Sequence, residues 1–278
     1  MDVILFLFPA ITLSVLLVGI HTYLGLHVLE REVVFVDIGL SQVAALGGAI
    51  SLLFFHDHDG PNYVSILCSL GLCLFAALGL SILRNFEKKV SQEALIGITY
   101  ALASGALILI LDKSPHGAEH LKEAFIGNIL FVTWNTVFIT SMIYGLVGII
   151  HYIFRKVFWQ SSRGKKTNLF WDFLFYFLFG IVITFSTHHA GVLVVFSILV
   201  IPAALAKRFR PSASIFQQLL FAWSYGFVSI LLSFLLSYYQ DLPAGAAIVT
   251  TLATGFFLLL FAKMLQEKIL PSICKQDQ

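Results

Sequence analysis

The sequence predicts an all-α protein, a polytopic membrane bundle of eight or nine transmembrane helices, with residues 1–278 forming a single transmembrane domain. Three observations carry this reading. Hydrophobic residues make up 59% of the chain and charged residues only 12%, with a mean hydropathy of +0.92; soluble domains carry about 25% charged residues. The apolar residues are gathered into runs close to the ~20 needed to cross a hydrocarbon core ~30 Å thick. Those runs, joined by short polar loops, occupy nearly the whole chain and leave no stretch long enough for a soluble catalytic domain.

Taken in order, the predicted spans are 3–24, 33–55, 62–83, 94–111, 134–154, 170–187, 191–206, 214–238 and 245–262. The first follows Met1-Asp2-Val3, which lacks a basic leader and a cleavage site, so it reads as a retained span. The second opens with the polar residues Asp37, Ser41 and Gln42. The third holds Cys68 and Cys73, which read as small packing residues; with Cys274 they form neither a CxxC spacing nor a disulfide framework. The stretch 124–134 and the short run 191–206 are each open to two readings, spanning or re-entrant. Re-entrant backbone is tolerated only where protein buries it or it lines a watery cavity.

Lysine and arginine accumulate in cytoplasmic loops, and here they set an orientation. Every one of the 17 except Lys113 and Lys122 falls at Arg31, in 84–89, 155–166 or 207–210, or after 262. Threaded through nine spans, this places the N-terminus outside and the C-terminus on the cytoplasmic side of the membrane. The opposite loops are rich in histidine and carboxylate: His56-Asp57-His58-Asp59, then Asp112 to Glu123, then His188-His189.

Several residues have the chemistry to handle a cation. Asp37 sits near the start of the second span, where a carboxylate is costly and usually faces a cavity or a partner; it reads equally as an interfacial helix cap. Ser41 shares its face at i+4. His56, Asp57, His58 and Asp59 form either a cation-scavenging cluster or a solvated loop. If 116–123 is helical, His116, Glu119 and His120 share one face at i, i+3 and i+4, either presenting two imidazoles and a carboxylate to an ion or forming a surface amphipathic turn. His188 and His189 stand in a predicted tight hairpin, where adjacent residues point apart; one lining a pathway while the other bonds backbone satisfies both. His21 and His27 read as packing residues at the inner end of the first span. Imidazole suits zinc, copper, iron and nickel, and carboxylate favours harder ions such as manganese. There is no HExxH, GxSxG or P-loop, so no catalytic site and no ATPase of its own are expected.

Five stretches resemble, in order, the zinc/manganese/iron class of ABC transporter permeases. They are Gly25 to Gly47; Glu93-Ala94-Leu95-Ile96-Gly97-Ile98; Phe125-Ile126-Gly127-Asn128-Ile129-Leu130; Gly191 to Ala206; and Asp241-Leu242-Pro243-Ala244-Gly245. The resemblance implies a transport subunit, not an enzyme, that passes a divalent metal ion through the bilayer. It also implies a cytoplasmic ATP-binding subunit that supplies hydrolysis, an extracytoplasmic metal-binding protein, and a second permease copy. No permanently bound cofactor and no nucleic-acid partner are implied. Lys207, Arg208, Phe209, Arg210 and Pro211, with the segment 155–172, become the expected ATPase contacts. Three positions depart from the family's pattern. Ile38 and Gln42 stand where the family has an Asp and a His, Asn128 replaces an Asp, and the D-x-E-x-A-x-x-x-G coupling pattern is absent between Arg155 and Asp172.

The expected function is therefore the permease of an ATP-driven importer, with zinc favoured over manganese or iron because histidine dominates the outward ligands. The expected path residues are Asp37, Ser41, Gln42, His188 and His189. The alternatives are a permease for a metal chelate or other cargo, and a non-transporting assembly or sensory protein on the same fold.

Overall fold

The computed structural model describes residues 3–54, 63–86, 90–113, 117–163 and 169–273. Among these the backbone is helical, as a chain this apolar must be: with no water in the hydrocarbon, each amide has to be satisfied within its own segment. The helices are α1 (Val3–Glu30), α2 (Val36–Phe54), α3 (Tyr63–Phe86), α4 (Gln92–Leu111), α5 (Gly117–Ile126), α6 (Trp134–Ile153), α7 (Arg155–Ser162), α8 (Leu169–Ala190), α9 (Val192–Phe209), α10 (Ile215–Gln240) and α11 (Ala244–Ile273). A single 3-10 turn, Ile129–Phe131, lies between α5 and α6.

Eight of these are long and apolar enough to cross a membrane, and α2 contributes a shorter apolar helix, Val36–Ser51. The nine expected spans thus all exist as helices, with α2 the exception in length. It is also among the most enclosed, packing against α3, α4, α8 and α9. On the other side α1 packs on α9, α10 and α6, and α11 closes on α9 and α10. Phenylalanine and leucine on the outer faces of α4, α6, α10 and α11, among them Leu102, Phe138, Leu146, Leu235 and Phe257, are exposed, as a lipid-facing surface requires.

The helix ends follow from local chemistry. Ser91 caps α4 by accepting from the Ala94 amide at 3.2 Å, and Thr133 caps α6 from Thr136 at 3.3 Å. Ser214 and Gln217 form a reciprocal capping box at α10. Asp241 ends α10 in the left-handed region, and Gly191, with φ 79°, separates α8 from α9. The expected histidine hairpin is therefore a one-residue corner, with both histidines inside the last turn of α8. The stretch 124–134 is not a span: it holds only the end of α5, Gly127 at φ 69° and the three-residue turn Ile129–Phe131 before α6 begins at Trp134.

Three of the five family-like stretches meet at one point. A β-carbon on Gly127 (φ 69°) would lie 2.1 Å from the carbonyl carbon of Ala190, and one on Gly191 would lie 2.3 Å from the Gly127 nitrogen. One on Gly245 would lie 2.3 Å from the Ile126 carbonyl oxygen. The Asn128 amide donates to the His189 carbonyl at 3.0 Å. Backbone packs directly on backbone here, pinning the α5 segment over the α8–α9 corner and the start of α11.

Candidate transport site

The site begins on α2. Asp37, Ser41, Ala44, Ala45 and Gly48 recur at i, i+4, i+7, i+8 and i+11, the spacing of one helical face. Small residues on that face let neighbours approach: Gly48 faces the hydroxyls of Ser65 and Ser69 on α3, and a β-carbon there would lie 3.1 and 3.2 Å from them. Asp37, Ser41 and Gln42 are all fully buried. Both carboxyl oxygens of Asp37, the Ser41 hydroxyl and both amide atoms of Gln42 make no close hydrogen bond, and the Ser41 hydroxyl is the side-chain group that interacts with the Asp37 carboxyl. Asp37 is therefore not the interfacial cap that was the alternative reading. Gln42, five residues on, lies off the Asp37–Ser41 face.

Toward the histidine-bearing end, the same face opens into a cavity of about 260 Å³. Ala44, Ala45, Gly48 and Ala49 of α2 line it, opposite Ser65 and Ser69 of α3, Leu107 and Leu111 of α4, and Thr184, Thr187 and His188 of α8. The Thr184 hydroxyl donates to the Gly180 carbonyl at 2.8 Å and the Thr187 hydroxyl to the Ile183 carbonyl at 2.9 Å. With their protons committed to backbone, these oxygens can offer only lone pairs to anything in the cavity, which suits a cation. His188 adds an imidazole; its neighbour His189 packs edge-on against it, ring centroids 5.0 Å apart.

The remaining expected ligands fall mostly beyond what the structure describes. His56, Asp57, His58, Asp59 and His116 lie outside the described residues, as does the side chain of His120; Glu119 is exposed on α5. Among the described residues, no three histidine, cysteine, aspartate or glutamate side chains gather in a way that could hold a metal ion. The turn from Lys207 to Pro211 is tied down by its neighbours: Lys207 pairs with Glu30 at 3.3 Å, Arg208 with Glu267 at 3.3 Å, and Lys263 donates to the Arg208 carbonyl at 3.1 Å. Phe209 stacks near Phe221, with centroids 6.1 Å apart, and Gln218 donates to the Arg210 carbonyl at 2.9 Å.

Sequence reading missed a second polar centre at the basic end. Arg31, entirely buried in its side chain, pairs with Asp172 of α8 at 3.1 Å. It also donates to Ser161 at 2.9 Å and Ser162 at 3.1 Å, both on α7. His27, expected only to pack, bonds the Ser162 hydroxyl through Nδ1 at 2.8 Å and stacks on Trp159. The available signal was Asp172, a lone carboxylate in the aromatic run Leu169-Phe170-Trp171-Asp172-Phe173, which demands a buried cationic partner.

Known proteins match this architecture along most of its length. The model of the ABC 3 transport family matches residues 4–263. A manganese transport system membrane protein of Listeria innocua is 27% identical over 266 residues, covering 92% of this chain and 91% of its own. A high-affinity zinc uptake system membrane protein of Haemophilus influenzae is 26% identical over 271 residues, covering 92% and 97%. Among solved structures, PsaBC from Streptococcus pneumoniae in complex with Fab superposes with a TM-score of 0.73 at 20% identity, covering 91% of this chain and 90% of that one. The chain belongs to the ABC 3 transport family, as a multi-pass membrane permease subunit and not an enzyme.

Proposed function

We propose that this chain forms the translocation path for a divalent transition-metal ion in an ATP-driven importer, with its basic end in the cytoplasm and its histidine-bearing end outside. The observation that carries the reading is the α2 face: a buried carboxylate whose oxygens make no close hydrogen bond, with Ser41 beside it, below a cavity lined by His188 and lone-pair-only hydroxyls. Leaving buried polar groups unpaired costs about 1–3 kcal/mol each, and an ionisable residue inside a membrane protein is by default a functional one. A cation entering from the cavity would supply what those oxygens lack.

Zinc is the favoured cargo because the cavity's strongest donor is an imidazole; relatives named for manganese and for zinc align equally well along the chain. With no cluster of three ligands among the described residues, a second copy of the chain supplies further ligands, and the pair takes metal from an extracytoplasmic binding protein. The ATP-binding subunit docks at the basic end, against α7 and the turn from Lys207 to Pro211. One observation favours a second reading, a chelated or hydrated metal: a cavity of about 260 Å³ is far larger than a bare ion.

The test is uptake of radioactive zinc and manganese into proteoliposomes holding the permease and its ATP-binding subunit. ATP-dependent accumulation that Asp37→Asn reduces at least about tenfold, a loss of about 1.4 kcal/mol, supports the reading. Equal uptake by the variant at equal protein level removes Asp37 from the path.

A further inference from the structure

We propose that Arg31 is a positioning residue that latches α7 to the corner preceding Asp37, so that a displacement of α7 carries the start of α2 with it. The inference rests on the reading above, in which an ATP-hydrolysing partner docks at the basic end. Helix α7 has two faces: Phe158, Ser161 and Ser162 are buried, and Arg155, Lys156, Gln160 and Arg163 at its end are exposed. The exposed face is basic and available to a partner; the buried face is held by Phe158 packed on His151 and by two side chains from the end of α1, His27 and Arg31.

That side chain reaches two elements at once. The Arg31 guanidinium donates from Nε to Ser162 at 3.1 Å, from one terminal nitrogen to Ser161 at 2.9 Å, and from the other to Asp172 at 3.1 Å. Ser161 donates in turn to the same Asp172 oxygen at 2.5 Å, and the guanidinium lies 3.9 Å above the Phe175 ring. A rigid planar fork suits such multi-point bonding where a lysine would not. A buried ion pair is weak evidence for stability, and its best-attested use is to fix register. Here the register it fixes is that of α7 against the end of α1.

The path from Arg31 to Asp37 is short and stiff. Only residues 32–36 intervene. Glu32 sits at φ 56°, a region that non-glycine residues enter at a cost. Val33 and Val36 donate back to Val28 at 3.3 Å and Val33 at 3.1 Å, and the Phe35 amide donates to Glu93 at the start of α4 at 3.3 Å. A corner bonded at this density does not absorb motion as slack. Movement of α7 reaches the first turn of α2, where Asp37 stands, and the opposite contact to Glu93 gives that movement a pivot.

The experiment uses the full permease with its ATP-binding subunit in proteoliposomes supplied with zinc chloride. Arg31→Gln, the double variant Ser161→Ala with Ser162→Ala, and the exchange pair Arg31→Asp with Asp172→Arg are compared with the parent. The expected result is ATP hydrolysis within about twofold of the parent but zinc accumulated per ATP lower by about tenfold, inside the range of ordinary coupling energies, with partial recovery in the exchange pair. A folded Arg31→Gln protein with unchanged uptake per ATP overturns the proposal. Should that variant fail to fold, the double variant Ser161→Ala with Ser162→Ala carries the test, because it removes both hydrogen bonds from Arg31 to α7 and leaves Arg31 paired with Asp172. A cargo-independent readout separates this from failure of the metal reading. Spin labels at Gln160 and at Phe35 are each measured against one at Tyr239, with and without nucleotide. Both distances shift together in the parent, and in the double variant Ser161→Ala with Ser162→Ala only the Gln160 distance shifts. Persistence of the Phe35 shift in that variant sinks the latch even if the cargo is something other than zinc.

Discussion

Replacing Asp37 by alanine removes two buried carboxyl oxygens that make no close hydrogen bond and have the Ser41 hydroxyl beside them. In a group kept for packing or capping, that change would cost stability. In a group held for cargo, it relieves a penalty of about 1–3 kcal/mol, set against a smaller loss from the cavity left by the missing Cγ and two oxygens, on the order of 1 kcal/mol. The net expectation for Asp37→Ala is unfolding in detergent that is unchanged or shifted toward higher stability, by zero to about 2 kcal/mol. The same variant loses at least about tenfold in ATP-dependent metal uptake. Opposed movement of stability and function marks a functional group kept at a stability cost. Two assays on one preparation decide it: denaturant or thermal unfolding followed by intrinsic tryptophan fluorescence, and proteoliposome uptake. A variant that unfolds more easily by more than about 2 kcal/mol, or that transports normally, refutes the reasoning.

Other expectations are as specific. His188→Ala should raise the concentration of metal needed for half-maximal uptake by about tenfold, whereas His189→Ala, whose tie to Asn128 is through its backbone carbonyl, should leave it within about twofold; a metal titration of uptake rates distinguishes them. Gly191→Ala places a β-carbon 2.3 Å from the Gly127 nitrogen at φ 79°, so it should cut the yield of monodisperse protein on size exclusion. Ser214→Ala should lower stability by about 0.5–2 kcal/mol through loss of the α10 cap, with uptake per folded molecule unchanged.

The nine helices were legible because hydrocarbon imposes one rule on every span: apolar side chains outside and backbone bonds inside. Even α2, interrupted by Asp37, Ser41 and Gln42, keeps enough apolar length to be read. What the rule does not encode is which helix is central. Placement of α2 among α3, α4, α8 and α9 depends on small residues such as Gly47 and Gly48, whose meaning appears only when α3 lies against them. The 124–134 stretch misleads because Phe125, Ile126, Ile129 and Leu130 are apolar for packing by the α8–α9 corner, not for crossing, while Phe131 is exposed. Asp37 and Ser41 were found by their cost in a membrane helix, a local signal. The union of Arg31 with Asp172 and the α7 serines spans 141 residues of sequence, and no local pattern reports a pairing that distant.

The central claim is that the buried α2 carboxylate serves a transported metal. The most direct measurement is accumulation of radioactive zinc in proteoliposomes containing this chain and its ATP-binding subunit, for the parent and for Asp37→Ala. The expected result is ATP-dependent accumulation by the parent and near-background accumulation by the variant at the same protein level. Indistinguishable accumulation with and without ATP in the parent, for zinc and for manganese alike, would contradict it.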